Sequence, residues 1–134
     1  MNSTFIQRLI EVADANASKT AIVDCGGKRQ TTYGEFITLA RKVAAYMQSR
    51  GIKPQSFICI QLPNSMEFAA AELGVWMSRC TSVPLSLTFP QKRVDYIFSH
   101  SDACMMIDDS VMKEAQALAP AKELLPGQED NAML

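Results

Sequence analysis

Three short apolar runs, separated by helix-length segments, constrain this chain more than any other feature. They are Phe57-Ile58-Cys59-Ile60-Gln61-Leu62, then Thr81-Ser82-Val83-Pro84-Leu85, then Ala103-Cys104-Met105-Met106-Ile107. The first is apolar at almost every position, without the polar alternation of a strand wetted on one side. Such a run suits a strand covered on both faces, as in a parallel sheet. The segments between carry helix signals. Pro63 stops the first run, and Asn64 with Glu67 has the spacing of a capping box opening a helix through about Met77. Pro90 suits a first helical turn, and Val94, Ile97 and Phe98 form an inner face.

The N-terminal third supplies the remaining elements. Asn2 or Ser3 caps a first helix whose apolar face carries Phe5, Ile6, Leu9, Ile10 and Ala13. Residues 20–25 read as a strand, Gly26-Gly27 as a two-residue hairpin turn, and residues 28–31 as the returning strand. Thr32 and Glu35 form a capping box for a helix with Phe36, Leu39, Ala40, Val43, Ala44 and Met47 on one face. Gly51 ends that helix and Pro54 prevents its return. Asp109 or Ser110 caps a last helix through about Ala119. The order is α-β-β-α-β-α-β-α-β-α, which predicts an α/β fold: a layered, mainly parallel sheet with flanking helices and an N-terminal β-hairpin. Residues 1–119 form one domain, and residues 120–134 an irregular tail.

Composition excludes several functions. The chain has 134 residues, 48% hydrophobic and 20% charged, which fits a folded domain rather than a disordered one. Thirteen basic and fourteen acidic residues leave a net charge of −1. The basic pairs Lys28-Arg29, Arg41-Lys42 and Lys92-Arg93 form no stripe, so nucleic acid is not an expected partner. The longest uncharged run, residues 54–66, has 13 residues, far short of the ~20 apolar residues a membrane span needs. The N-terminal residues read as a folded helix and not a signal peptide, so the expected location is cytoplasmic. Cys25, Cys59, Cys80 and Cys104 lack metal-ligand spacing, and His100 is the sole histidine, so no zinc site is expected. Cys59 and Cys104 fall inside the predicted buried strands and read as reduced structural thiols. Met47, Met66, Met77, Met105, Met106 and Met112 read as core filler.

No catalytic constellation emerges from the residues. Gly26-Gly27-Lys28 lacks P-loop spacing. Ser65 opens a helix whose amide end suits an anion, but its expected role is a cap, and His100 would have to reach it for a Ser–His pair. Asp108-Asp109 follows a strand, where α/β sheets bind ligands; either a metal or acid–base role or a turn and helix cap fits. Glu67 and Glu72 point to different faces of one helix. Glu72 either reaches to solvent, pairs with Arg79, or meets a further domain. We therefore assign no catalytic, cofactor-binding or metal-binding residue.

Three collinear segments carry a resemblance. They are Thr31-Thr32-Tyr33-Gly34-Glu35-Phe36; Pro63-Asn64-Ser65-x-Glu67-Phe68; and Leu73-Gly74 through Val83-Pro84-Leu85, Pro90-x-x-Arg93-x-x-Tyr96-Ile97 and Ser101-x-Ala103. Covering about residues 20–107, they resemble the N-terminal part of the adenylate-forming (AMP-binding) enzymes: acyl-CoA synthetases, amino-acid adenylation domains and luciferases. Two departures stand out. Gln55-Ser56 replaces a usual Gly-Asp, and Arg79 replaces a usual glycine.

The resemblance implies a partial N-terminal subdomain of that fold and a ligase that activates a carboxylic acid with ATP and Mg²⁺. The acyl-adenylate then passes to the thiol of coenzyme A or a carrier-protein pantetheine. The phosphate loop, ribose aspartate and C-terminal lysine that the family uses do not occur here. The expectation is a fragment, inactive alone and without tight cofactor binding, whose partners are the missing domains. Exposed apolar surface near residues 73–76 and Phe89 would then favour self-association. The alternative is a free-standing, non-catalytic α/β binding or interaction module.

Overall fold

A computed structural model describes residues 3–24 and 29–120, and its element order is the one expected. In sequence the elements are α1 (Ser3–Ala15), β1 (Thr20–Asp24), β2 (Arg29–Thr32), α2 (Tyr33–Ser49), β3 (Phe57–Ile60), α3 (Met66–Met77), β4 (Thr81–Pro84), α4 (Gln91–His100), β5 (Met105–Ile107) and α5 (Asp109–Gln116). β1 and β2 pair antiparallel as a separate ribbon. The Gly26-Gly27 turn and the tail from residue 121 lie outside the described residues.

The apolar β3 run takes the centre of a parallel sheet ordered β4-β3-β5. Cys59 pairs with Val83 on one side and Met106 on the other. Side chains alternate between two faces. Ile58, Ile60 and Ile107 enter the main core with residues of α2, α3 and α5. Cys59 and Leu85 enter a smaller cluster with Val94 of α4, flanked by half-buried Val83, Phe89, Ile97, Phe98 and Met106. Full burial of one such aliphatic side chain contributes about 1.5–3 kcal/mol.

On the main face, α3 is buried around most of its circumference, as its composition predicts. Gly74 explains how it fits. A Cβ there would stand 2.6 Å from Cβ of Val43 and 2.8 Å from the Ala40 carbonyl oxygen. Only a glycine lets α3 lie against the α2 backbone this closely. Leu73 and Val75 are consequently buried, and Trp76 packs against the main core. The exposed patch expected at residues 73–76 is thus interior, because α2 covers it. Phe89 is likewise half-buried against the α4 cluster.

Three helices leave in the same way. After α2, Ile52 N–H donates to the Met47 carbonyl (3.1 Å); after α3, Cys80 N–H to Val75 (3.1 Å); after α4, Ala103 N–H to Phe98 (3.2 Å). This is the Schellman motif, and it needs a left-handed residue just past the cap. Gly51 fills that place at φ 70°, Arg79 at φ 64° and Asp102 at φ 60°. Gln55 is also left-handed, at φ 70°. Its N–H donates to the Arg79 carbonyl at 2.7 Å, beside the starts of β3 and β4. Both sites where the resemblance lacked its glycine therefore keep the glycine-type conformation.

Other expectations need correction. Thr32 and Glu35 form the expected capping box, but the α3 cap is Ser65, not Asn64. Glu67 does not close a box there, because with Ser65 as the cap the box position falls on Phe68; the Glu67 carboxylate binds Arg29 instead. Phe5 is 50% exposed, whereas Ile6 and Ala13 hold the buried stripe of α1. Cys104, expected inside a buried strand, is exposed; β5 begins at Met105, one residue beyond it.

Candidate functional site

A parallel sheet offers its ligand crevice outside the strand C-termini, where the chain reverses its direction across the sheet. Here β3 leads through α3, on the main core face, to β4. β4 then leads through α4, on the other face, to β5 on the far side of β3. The adjacent strands whose exits diverge to opposite faces are therefore β3 and β4, while β5 exits to the main face through α5; Gln61 and Asp108 stand at the ends of β3 and β5.

Both residues hold the scaffold. Gln61 N–H donates to the Ile107 carbonyl (2.9 Å) and its Nε2 to the Ser86 carbonyl (3.0 Å). One residue thus links β3 to the end of β5 through its backbone and to the turn after β4 through its side chain. Its sequence signal is a lone amide between Ile60 and Leu62. Asp108 Oδ1 accepts from Val111 N–H at 3.0 Å, making it the α5 cap. Asp109 forms an exposed i,i+4 ion pair with Lys113 (3.3 Å). The cap alternative for Asp108-Asp109 is the one the geometry takes.

The turn before α3 is organised similarly. Ser65 Oγ accepts from Phe68 N–H (3.4 Å) and donates to the Pro63 carbonyl (3.0 Å). His100 is elsewhere occupied, stacked on Tyr96 with ring centroids 5.2 Å apart. Ser65 is a capping hydroxyl, not an activated nucleophile. Glu67 receives both guanidinium nitrogens of Arg29, with Nη1 to Oε1 at 3.1 Å and Nη2 bonded to Oε2. The Arg29 hydrogen bonds hold the Glu67 carboxyl below its ordinary value of 4.5. This pair clips the N-terminal ribbon to the start of α3. Glu72 accepts from Ser82 Oγ (3.4 Å), joining α3 to β4.

Cys59 and Cys80 are not activated thiols. Burial pushes Cys59 and Cys80 above their ordinary value of 9.0, which disfavours the thiolate. No three described His, Cys, Asp or Glu residues converge as a metal site. An open groove of about 400 Å³ lies on α2 and the end of α5, lined by Gly34, Glu35, Thr38, Leu39, Lys42 and Gln116. Lys42 Nζ bridges it to the Gln116 carbonyl (3.0 Å). These donors do not fit a Mg²⁺–nucleotide, which needs clustered carboxylates and cations around its phosphates. No helix among the described residues is long and apolar enough to cross a membrane.

Comparison with known proteins supplies what the donor set does not. The family model "AMP-binding enzyme" matches residues 9–133. N-(5-amino-5-carboxypentanoyl)-L-cysteinyl-D-valine synthase of Penicillium rubens is 33% identical over 97 residues, which is 72% of this chain and 2% of that protein. The nonribosomal peptide synthase roqA of the same organism is 36% identical over 92 residues, 67% of this chain and 4% of that protein. Among solved structures, a benzoate CoA ligase from Burkholderia xenovorans LB400 superposes with TM-score 0.79 at 23% identity, covering 94% of this chain and 30% of that one. The N-terminal domain of FACL13 from Mycobacterium tuberculosis superposes with TM-score 0.77 at 19% identity, covering 92% and 38%. The chain therefore spans a small part of the curated relatives it matches and about a third of these structures. The family match runs through both faces of the sheet and all three of its strands, and the chain belongs to the AMP-binding enzyme family.

Proposed function

We propose that these residues are the N-terminal scaffold of an acid-activating ligase that uses ATP and Mg²⁺. In the reaction proposed for the whole protein, a carboxylate displaces pyrophosphate from ATP to give an acyl-adenylate, and a thiol then takes the acyl group with release of AMP. The chain's own residues hold strand ends, caps and helix contacts in place, and contribute no group to that chemistry. The observation that carries this reading is the family match over residues 9–133. The substrate is proposed to be an amino acid and the acceptor a carrier-bound pantetheine thiol. A relative named as a nonribosomal peptide synthase, at 36% identity, supports that choice. The benzoate CoA ligase, at 23%, speaks for the fold alone.

The test begins with the native polypeptide. An antibody to residues 29–120 should detect a cytoplasmic band several times longer than 134 residues. ATP–pyrophosphate exchange on that protein should respond to amino acids above aryl and fatty acids. A band of 134 residues would overturn the ligase reading and favour a free-standing binding module. Exchange with aryl or fatty acids alone would overturn only the substrate assignment.

A further inference from the structure

The sheet has one closed face and one thin face, and the thin one carries an anomaly. Phe57 lies on the central strand, where a parallel sheet ordinarily excludes water, yet it is 43% exposed. Alternation places it with Cys59 on the α4 face. Its register partner on β4 is Thr81. On the other side, Cys104 N–H donates to the Phe57 carbonyl at 3.0 Å, and Cys104 shares the parity of Met106, which packs in the α4 cluster. Thr81 and Cys104 are both exposed. The row Thr81–Phe57–Cys104 thus runs from β4 across β3 to the residue just before β5, at the N-terminal end of the sheet, without the cover that α4 gives to Val83, Cys59 and Met106. On the opposite face the same strands meet three helices.

The FACL13 N-terminal domain contains this fold as 38% of its length, so most of such a domain is chain that must pack somewhere. We propose that the row Thr81–Phe57–Cys104 is an intramolecular interface, covered by an apolar layer from the remaining polypeptide of the same enzyme. This rests on the reading of the chain as part of a longer ligase. The occupant must be apolar, because Phe57 dominates the row and no charged residue lies within it. The closed face has no comparable opening, since Ile58, Ile60 and Ile107 are fully buried there.

Cys104 provides the readout. The native longer polypeptide is pulsed with iodoacetamide, and alkylation at each cysteine is followed by peptide mass spectrometry. The expected result is that Cys104 reacts as slowly as buried Cys59 and Cys80, and at least about tenfold slower than in the isolated 134-residue chain. Reaction of Cys104 at the rate of a free exposed thiol in the longer polypeptide would overturn the proposal, while the ligase reading stood. Protection of Cys104 in the 134-residue chain that is lost on dilution would also overturn it, in favour of a second copy as occupant. A native length of 134 residues would remove both readings. Phe57→Ser provides a second arm. It should lower the melting temperature of the longer protein more than that of the 134-residue chain, and equal small shifts would count against the interface.

Discussion

The two faces of the β4-β3-β5 sheet are built from the same strands and differ in how they are closed. One is sealed by α2, α3 and α5, with Gly74 letting two helix backbones meet. The other rests on α4 alone, of whose residues only Val94 is buried. The contrast shows that a strand's sequence reports the burial it is built for, whereas its neighbours decide how much of that burial a given stretch of chain supplies. The largest test compares the faces directly. Ile58→Ala, on the closed face, should cost about 3 kcal/mol, because a fully buried aliphatic side chain leaves a cavity that a three-helix layer cannot collapse. Val94→Ala, on the thin face, should cost about 1 kcal/mol, two methyl groups beside a surface that can relax. Urea denaturation of both variants checks this, and equal losses would break the contrast.

Gly74→Ala sharpens the same point from the side of overpacking. The added methyl meets Val43 and the Ala40 carbonyl oxygen, a backbone atom that cannot rotate away. The expected loss is about 2 kcal/mol. A shortened Val43 should recover part of it, so the double variant Gly74→Ala with Val43→Ala should be more stable than the sum of the two single losses.

Much of this was legible in the residues, and the failures have physical causes. Strand β3 was readable because it is apolar at successive positions, and the order of elements followed from caps and breakers such as Thr32, Gly51 and Pro63. Burial was less readable wherever it depends on distant partners. Residues 73–76 looked available for contact because their cover comes from α2, some 30 residues earlier in sequence. Phe57 and Cys104 looked interior because an apolar run does not say whether its covering layer belongs to the same stretch of chain. Gln61 passed unnoticed because its role depends on two strand ends brought beside it by the fold. The left-handed turns at Gln55 and Arg79 gave no local signal, since neither is a glycine. The candidate site was legible mainly as an absence of catalytic groups. Caps were legible only to within a residue: the spacing pointed to Asn64 before α3 and to Asp109 or Ser110 before α5, whereas the backbone places the caps at Ser65 and Asp108.

Those turns offer a test that should ignore the two faces. Arg79 ends α3 on the closed face and Asp102 ends α4 on the thin one, yet the cost of a left-handed side-chain-bearing residue is local to the backbone. Arg79→Gly should stabilise by roughly 0.5–1 kcal/mol, the relief of backbone strain less the extra unfolded-state entropy of glycine. Asp102→Gly should gain less, because aspartate tolerates this conformation better than arginine. Gly51→Ala should lose about 1 kcal/mol by the same reasoning reversed. Thermal melts in parallel would show whether the exits behave alike. A gain at one face and a loss at the other would tie turn strain to packing after all.

The smallest effect belongs to the clip between the ribbon and α3. Arg29 lowers the Glu67 pKa below its ordinary value of 4.5, so the folded state holds this carboxylate ionised more readily than the unfolded state does. The linked stability is fully present above the unfolded value and is lost as pH falls through the folded one. Arg29 is 41% exposed, so water screens the pair and the contribution should stay below about 1 kcal/mol. Glu67→Gln should therefore cost little at neutral pH, and its deficit against the parent should shrink as the pH drops below about 4.5. Urea midpoints of parent and variant, followed from pH 7 into that acid range, check the convergence. A deficit that stayed constant would mean that Glu67 acts through its shape and neutral hydrogen bonds, and that the clip's charge contributes nothing to holding the ribbon on the closed face.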